Sequence, residues 1–216
     1  AGCSETIDRS ELLPTVVAHR GCHLKDGQDF YIPENCPAGV WMAARYGYPA
    51  IEMDVKYTLD SVMVIMHDAT INRTMRLKDG YAEIPEPVKV VDTPFEELRT
   101  KYVLASTDPA LRTPIPTLEE ELEACREAGI MPMLHSSIVE SYELSTSYFQ
   151  DKWIAFGSSK AVPEARNISD CLILIDPGRS TAEETLVRLG GVSGRVGMST
   201  MKFDMLDSAY VAAVKE

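Results

Sequence analysis

Three histidines of this chain follow directly on short runs of apolar residues. His19 ends the run "VVAH", His67 ends "VMVIMH" and His135 ends "MPMLH". Because an imidazole titrates near neutral pH, one such ring can accept a proton in a reaction while a second ring donates one. A histidine at the end of a buried segment also lies where the hydrophobic core stops and a substrate can reach it. The pattern therefore predicts acid–base chemistry at the ends of several core strands.

Two carboxylates add a metal-binding pattern to these histidines. Glu52 and Asp54 lie two residues apart in the run "AIEMDV", so on a strand both side chains point to the same side. Their oxygens are the hard ligands that Ca²⁺ and Mg²⁺ prefer, and such an ion neutralises charge on phosphoryl oxygens. Arg20, next to His19, can donate two hydrogen bonds to the same oxygens. The set indicates a metal-assisted displacement at phosphorus.

The elements that must position these residues are short apolar runs separated by helical segments. Most runs are continuous and do not alternate with polar residues, which is typical of parallel strands covered on both faces. In a barrel of parallel strands the carboxyl ends form one face, where residues distant in sequence converge. The predicted strands cover residues 15–18, 50–55, 62–66, 130–134, 153–156, 171–175 and 195–198.

The predicted helices carry their own start and stop patterns. Segment 36–47 has apolar residues at helical spacing and ends in a glycine. A capping box of Thr117 with Glu120 begins a second helix that ends at Gly129. A similar box, Ser180 with Glu183, begins a third helix, which is followed by Gly190 and Gly191. The alternation of strands and helices indicates an α/β fold.

The composition narrows the classes of partner. Apolar residues make up 45% and charged residues 25% of the 216-residue chain, as in a globular protein with a core. No apolar run is long enough to cross a bilayer. The net charge of −12 argues against nucleic acid as a partner, because binding to a phosphate backbone needs a basic surface. An acidic chain that handles an anionic substrate needs a local positive charge, from a metal ion or an arginine.

Four motifs occur together in an order and spacing typical of one family. They are "HRG" at 19–21, "PENC" at 33–36, "IEMDVKYTLDSVMVIMHDATINRT" at 51–74 and "IPTLEEEL" at 115–122. Over residues 16–122 the chain therefore resembles the glycerophosphodiester phosphodiesterase family. The resemblance implies a TIM-type (β/α)8 barrel enzyme that uses a divalent metal, often Ca²⁺ or Mg²⁺. It implies His19 and His67 as the catalytic acid–base pair, Glu52 and Asp54 as metal ligands, and Arg20 and Glu34 as substrate-binding residues.

The chain departs from the family pattern at the fourth strand. The family carries Glu-x-Lys there, its glutamate completing the metal site and its lysine facing the phosphate, whereas this chain has His135 and Ser137. Two interpretations of His135 stay open. It is either a metal ligand, which would shift preference from Ca²⁺ or Mg²⁺ toward Mn²⁺ or Zn²⁺, or a hydrogen-bonding group for the substrate. Ser137 takes the place of the lysine on the substrate side without its charge.

Seven strands are predicted where a TIM-type barrel has eight. The predicted fold is thus an α/β barrel of this type that lacks its eighth strand or is truncated before it. We expect residues 1–12 to form a tail and residues 13–216 a single barrel domain. The stretch 69–116 is expected to form a long excursion over the active face.

Three functions fit these observations. The first is metal-dependent hydrolysis of glycerophosphodiesters to glycerol 3-phosphate and an alcohol. The second is a non-catalytic relative that binds a phosphorylated ligand or a protein partner, which the loss of Glu-x-Lys motivates. The third is cleavage of a lipid phosphodiester by internal attack, which gives a cyclic product. The expected partner of the enzyme is a small glycerophosphodiester or a lipid head group, and the oligomeric state stays open.

The first residues, "AGCSET", allow two interpretations. "AGC" is similar to the end of a bacterial lipoprotein processing site, where the cysteine receives a lipid anchor. Cys3 would then tether an exported protein, and export to the periplasm, the cell surface or the medium is our expectation. In the other interpretation Cys3 is incidental, and a cytoplasmic location stays open.

Overall fold

The computed structural model describes residues 16–157, 162–176, 181, 183, 184, 187 and 194–198. Its strands are β1 (Val17–Ala18), β2 (Leu24–Asp26), β3 (Asp29–Ile32), β4 (Ala50–Tyr57), β5 (Met63–Ile65), β6 (Met75–Leu77), β7 (Tyr102–Leu104), β8 (Met131–His135), β9 (Ile154–Gly157), β10 (Leu172–Ile175) and β11 (Val196–Met198). Its helices are α1 (Pro37–Arg45), α2 (Phe95–Lys101), α3 (Leu118–Ala128), α4 (Val139–Phe149) and α5 (Val162–Ile168). Short 3-10 helices cover Val90–Asp92 and Pro109–Leu111.

Six parallel strands form the core of the fold and curl into a partial barrel. They lie side by side in the order β1, β4, β8, β9, β10 and β11, and every neighbouring pair among them is parallel. This confirms the predicted α/β fold with a parallel sheet. Among the described residues, β1 and β11 each pair with one barrel strand, so the described sheet is open between them. Six of the eight strands of a TIM-type barrel are thus described, and any further barrel strand would lie outside the described residues.

The register of β4 brings the predicted site residues to one end of the sheet. All six residues from Ala50 to Val55 are buried, because β4 lies between β1 and β8 and is covered on both faces. Ala18 of β1 pairs with Ile51, so His19 follows at the level of Glu52. On the other side Asp54 pairs with His135 of β8. The candidate catalytic and metal-binding residues therefore lie at the carboxyl ends of three neighbouring strands.

The predicted strand at 62–66 exists as β5, but its prediction as a parallel barrel strand is wrong. It pairs with β4 in an antiparallel hairpin, with Val55 opposite Ile65. Only residues 58–62 separate the two strands, whereas a parallel crossover needs about a dozen residues or more. The Thr58 hydroxyl accepts a hydrogen bond from the Val62 N–H (3.0 Å) and fixes the turn. The hairpin returns the chain toward the site, where the Met66 N–H bonds the Asp54 carbonyl oxygen (2.8 Å).

The excursion at 69–116 has more regular structure than the sequence indicated. It contains an antiparallel pair, β6 with β7, and the helix α2, over a hydrophobic cluster separate from the barrel core. Strands of three residues are too short to show a periodic pattern. A second missed hairpin, β2 with β3, occupies the segment after "HRG". No described helix is both long and apolar enough to span a membrane.

Helix α3 follows its sequence pattern closely. Thr117 and Glu120 exchange the two capping-box hydrogen bonds, and Gly129 ends the helix in the left-handed conformation (φ 67°). The later capping box is displaced by one residue from its prediction, because Thr181 bonds Glu184 reciprocally. Ser180, Gly190, Gly191, Thr15, Cys3 and the predicted tail at 1–12 lie outside the described residues. The division at residue 13 therefore stays a prediction.

Glu121 of α3 is an ionisable group inside the core. Its side chain is fully buried, and neither carboxylate oxygen has a hydrogen-bond partner among the described residues. Burial, with a smaller contribution from the charge of Glu120, raises the pKa of Glu121 to about 8. Its negative charge would also face the buried thiols of Cys36 and Cys125, whose pKa values lie above their usual range mainly through burial. The folded chain therefore keeps Glu121 protonated at neutral pH.

The free energy of unfolding of the native chain should fall as pH rises, and we expect Glu121→Gln to abolish this fall. The unfolded carboxyl ionises near its ordinary value, so the native state loses stability from about pH 4.5 until the folded group also ionises near pH 8. Over this whole range the loss should be on the order of 5 kcal/mol. Urea unfolding of both chains across this range measures it, with the exposed Glu127→Gln on the same helix as control. If the free energy of unfolding changes with pH in the same way in the native and Glu121→Gln chains, Glu121 is not held protonated in the folded state.

Candidate active site

The chain turns sharply at the end of β1, and Glu52 fixes this turn. Arg20 and Gly21 both have positive φ, at 56° and 74°. The Arg20 N–H donates to Glu52 Oε2 (2.8 Å), and the Gly21 N–H donates to the Glu52 backbone oxygen (3.1 Å). A positive φ is uncommon for arginine, so these bonds hold a backbone conformation that the residue would otherwise avoid. His19 is exposed at the start of this turn, in a position set by β4.

Glu52, Asp54 and His135 form a compact group of potential metal ligands. One ligand atom from each lies within 4.8 Å of the other two. Glu52 and Asp54 are only 3% and 4% exposed, whereas the His135 ring is about half exposed, at 47%. The His135 Nδ1 lies 3.0 Å from Asp54 Oδ1 and 3.6 Å from Glu52 Oε1. The group is thus closed by protein on the carboxylate side and open on the imidazole side.

Asn35 holds the Asp54 carboxylate in place. Its Nδ2 donates to Asp54 Oδ2 (3.2 Å), and its Oδ1 accepts from the Asp54 N–H (3.4 Å). Its own backbone N–H donates to the Arg20 carbonyl oxygen (2.9 Å). Asn35 adopts a positive φ of 52°, a conformation that asparagine tolerates better than most residues. The residue type therefore suits both its backbone and its contacts.

Glu34 is a buried carboxylate bound by two arginines. The Arg73 guanidinium makes a two-pronged contact with it, Nη1 to Oε1 (2.9 Å) and Nη2 to Oε2 (2.8 Å), and Arg20 Nη1 adds a third bond (3.2 Å). Burial opposes ionisation of Glu34, but the bonds and charges of Arg73 and Arg20 outweigh it, so its pKa lies below its usual value. The structure thus places Glu34, predicted as a substrate-binding residue, where it orients Arg20.

His67 follows β5 and is bonded to the next residue in the chain. Its Nδ1 lies 2.7 Å from Asp68 Oδ1. Arg73 also binds Asp68, through Nε to Oδ2 (2.6 Å) and Nη2 to Oδ1 (3.2 Å). These Arg73 bonds are the main cause that lowers the pKa of Asp68 to about 2. Met66, the residue before His67, donates its backbone N–H to the Asp54 carbonyl oxygen (2.8 Å), so His67 follows directly beside the ligand group.

The end of β8 carries the two residues that depart from the family pattern. The His135 ring packs against Phe156 of β9, with ring centroids 5.0 Å apart. Ser137 is exposed, whereas the neighbouring Ser136 is buried and accepts hydrogen bonds from the Ser141 hydroxyl (2.9 Å) and the Ile138 N–H (3.0 Å). His135 therefore faces the carboxylates, and Ser137 lies at the surface beyond it.

Electrostatics favour a cation among these ligands. Burial opposes ionisation of Asp54, but bonds from His135 and Asn35 keep its pKa below the usual value. The hydrogen bonds to Asp54 and Glu52 raise the pKa of His135 to about 9. Two buried oxygens and one imidazole nitrogen are a donor set that suits a divalent cation once the Nδ1 proton that bonds Asp54 is released. Glu52, Asp54 and His135 are thus the residues that would hold such an ion.

The sequence missed three residues that the structure places at the site. Asn35, Asp68 and Arg73 all lie inside the motifs quoted for the family resemblance, in "PENC" and "HDATINRT". The partners of Asn35 and Arg73 are distant in the chain, 39 residues in the case of Arg73 and Glu34. The partner of Asp68 is the adjacent His67, so the dipeptide was a local signal that the sequence analysis did not use. The predicted residues His19, Arg20, Glu34, Glu52, Asp54, His67 and His135 all lie at or beside the carboxyl ends of β1, β4 and β8 or the returning end of β5.

Comparisons with known proteins find matches both in sequence and in fold. The sequence model of the "Glycerophosphoryl diester phosphodiesterase family" matches residues 19–151. Over 116 residues the chain is 34% identical to "Glycerophosphodiester phosphodiesterase 1" of Mus musculus, a match that covers 51% of this chain and 30% of the mouse protein. The chain thus spans about a third of the length of this relative.

Solved structures share the fold. A phosphodiesterase from Oleispira antarctica, in complex with the product sn-glycerol-3-phosphate, superposes with a TM-score of 0.69 at 23% identity, covering 94% of this chain and 81% of that one. A glycerophosphodiester phosphodiesterase from Agrobacterium tumefaciens gives a TM-score of 0.67 at 18% identity, covering 94% and 83%. The partial barrel described above is therefore of the TIM type, as predicted.

We expect Asn35→Gly to weaken divalent-metal binding by about tenfold or more, because it removes both side-chain bonds to Asp54 and keeps a residue that accepts positive φ. Asn35→Ala should lose, in addition, about 1 kcal/mol or more of stability to backbone strain. Titration calorimetry with Mn²⁺ and urea unfolding of both variants separate these effects. Unchanged Mn²⁺ affinity in Asn35→Gly would show that Asn35 does not organise the ligands.

Proposed function

This chain belongs to the glycerophosphoryl diester phosphodiesterase family, and from this we propose that it hydrolyses glycerophosphodiesters to glycerol 3-phosphate and an alcohol with a divalent metal. The observation that carries the proposal is the convergence of Glu52, Asp54 and His135 at one end of the barrel, where the backbone bond from Met66 to Asp54 also brings His67. The Oleispira antarctica structure, which holds sn-glycerol-3-phosphate, supports the same product class. The substrate would be a small glycerophosphodiester or a lipid head group.

Proton transfer in this proposal belongs to His19 and His67. One imidazole takes a proton from the attacking water as its oxygen bonds to phosphorus. The other donates a proton to the alcohol oxygen as the bond from that oxygen to phosphorus breaks. Both rings are partly exposed at the barrel end, so a substrate can reach them.

Charge stabilisation would come from Arg20 and from a metal held by Glu52, Asp54 and His135. The bound ion would supply positive charge that offsets negative charge on the phosphoryl oxygens. Arg20 is held by its backbone bond to Glu52 and its side-chain bond to Glu34, so its guanidinium stays beside the ligand group. Its Nε lies 3.8 Å from Asp54 Oδ2. Ser137 would contact the substrate as a neutral group.

A second candidate, a non-catalytic phosphate binder, is motivated by the replacement of Glu-x-Lys with His135 and Ser137. The retained pair Glu52 and Asp54, together with His19 and His67, favours the enzyme. Cleavage to a cyclic phosphate is the third alternative. The products distinguish all three, because hydrolysis gives glycerol 3-phosphate, internal attack gives a cyclic phosphate, and a binder gives neither.

We expect release of glycerol 3-phosphate from glycerophosphocholine or glycerophosphoethanolamine when Ca²⁺, Mg²⁺, Mn²⁺ or Zn²⁺ is added after chelation. His67→Ala should lower the rate by about 100-fold or more, because it removes one partner of the proton transfer. A coupled assay for glycerol 3-phosphate measures both. Asp92→Asn is the control, since that exposed carboxylate pairs with Lys89 in the excursion and has no part in the proposal. Full activity in His67→Ala would sink the acid–base assignment.

We also expect His135 to set the metal preference. Its imidazole favours Mn²⁺ and Zn²⁺, so His135→Glu should raise affinity for Ca²⁺ and Mg²⁺ relative to Mn²⁺ and Zn²⁺ by about tenfold, or about 1.4 kcal/mol. Calorimetric dissociation constants for the four ions in both chains test this. If the ranking of the ions is the same in both chains, His135 is not a ligand and its role is to bind substrate.

A further inference from the structure

When His67 is neutral, its contact with Asp68 has only one consistent arrangement of protons. Asp68 accepts two bonds from Arg73 and is ionised at neutral pH, so its carboxylate can only accept. His67 Nδ1, 2.7 Å from Asp68 Oδ1, must therefore carry the proton in that contact. In the neutral ring this leaves Nε2 without a proton. His67 is then prepared to accept a proton at Nε2 and to donate it again from the same atom.

Arg73 connects this pair to the opposite side of the site. Its guanidinium lies between two carboxylates, with Nη1 and Nη2 on Glu34 and with Nε and Nη2 on Asp68. Glu34 in turn binds Arg20 at the end of β1. A planar guanidinium with donors on two edges can fix two carboxylates in one geometry, which a lysine cannot do. One side chain thus sets the position of Asp68 relative to Glu34.

Hydrogen bonds fix the residues of the excursion on either side of Arg73. The Asn72 side chain beside it donates to the carbonyl oxygens of Ile84 (3.1 Å) and Glu86 (2.8 Å) and accepts from the Val88 N–H (2.9 Å). On the other side, the Thr74 hydroxyl contacts the sulfur of Met66 (3.3 Å), the residue before His67. A long segment outside the barrel therefore supports the turn that presents Arg73.

We propose that Asp68 and Arg73 are positioning residues that hold neutral His67 in the Nδ1–H tautomer, with Nε2 free for proton transfer. The proposal rests on the proposed function for the use of that proton. Neither residue needs to touch the substrate. Arg73 acts through Asp68, and Asp68 acts through His67.

The tautomer can be measured without any substrate. Long-range ¹H–¹⁵N spectra of the full chain, labelled with ¹⁵N-histidine and recorded at about pH 8.5, distinguish Nδ1–H from Nε2–H. His67→Gln assigns the signals. We expect Nδ1–H for His67 in the native chain and a shift to Nε2–H in Asp68→Asn, whose amide can donate to Nδ1. Native His67 in the Nε2–H form, or no change in Asp68→Asn, overturns the proposal.

Kinetics supply a second, separable readout. Asp68→Asn should lower kcat by about 100-fold while KM stays within about twofold, because orientation of the acid–base group is lost and binding is not. Asp92→Asn, which breaks an exposed pair with Lys89 in the excursion, is the matched control and should keep native rates. An equal fall in kcat for both variants would overturn the positioning role. If the native chain releases no product, the proposed function fails and the tautomer experiment still decides the arrangement of protons.

Discussion

Burial of three carboxylates at one end of the barrel is the constraint on which the site depends. Glu34, Glu52 and Asp54 are almost completely buried in a chain that already carries a net charge of −12. Removing an ionised carboxylate from water costs several kcal/mol unless other groups compensate it. Each of the three is compensated by specific partners. Arg20 and Arg73 bind Glu34, the Arg20 amide binds Glu52, and Asn35 and His135 bind Asp54.

These partners come from four separate parts of the chain, and the backbone is shaped to deliver them. Arg20 and Asn35 both adopt positive φ, and the Asn35 N–H bonds the Arg20 carbonyl oxygen, so the two unusual conformations support each other. His135 arrives through the pairing of β8 with β4. Arg73 belongs to the excursion, which packs on its own hydrophobic cluster. The strain and the additional structure are explained by the buried charges that they stabilise.

The sequence was sufficient for the parallel core because its strands are buried on both faces and read as continuous apolar runs. The same property concealed the hairpin, since an apolar run such as 62–66 looks alike in a parallel barrel and in a buried antiparallel pair. The short connection at 58–62 was the informative feature. Glu52 and Asp54 could be predicted because their period of two is local. The contact of Arg73 with Glu34 could not, because nothing in the sequence near either residue encodes it.

The replacement at the end of β8 can be understood from the same charge balance. The family pattern places a glutamate where this chain has His135, so the usual site would carry a third carboxylate beside Glu52 and Asp54. Without an ion, three carboxylates within a few ångströms repel one another, and their burial would oppose folding. An imidazole 3.0 Å from Asp54 instead bonds it and removes the repulsion. In the structure without an ion, the imidazole therefore stabilises the two buried carboxylates where a third carboxylate would oppose their burial.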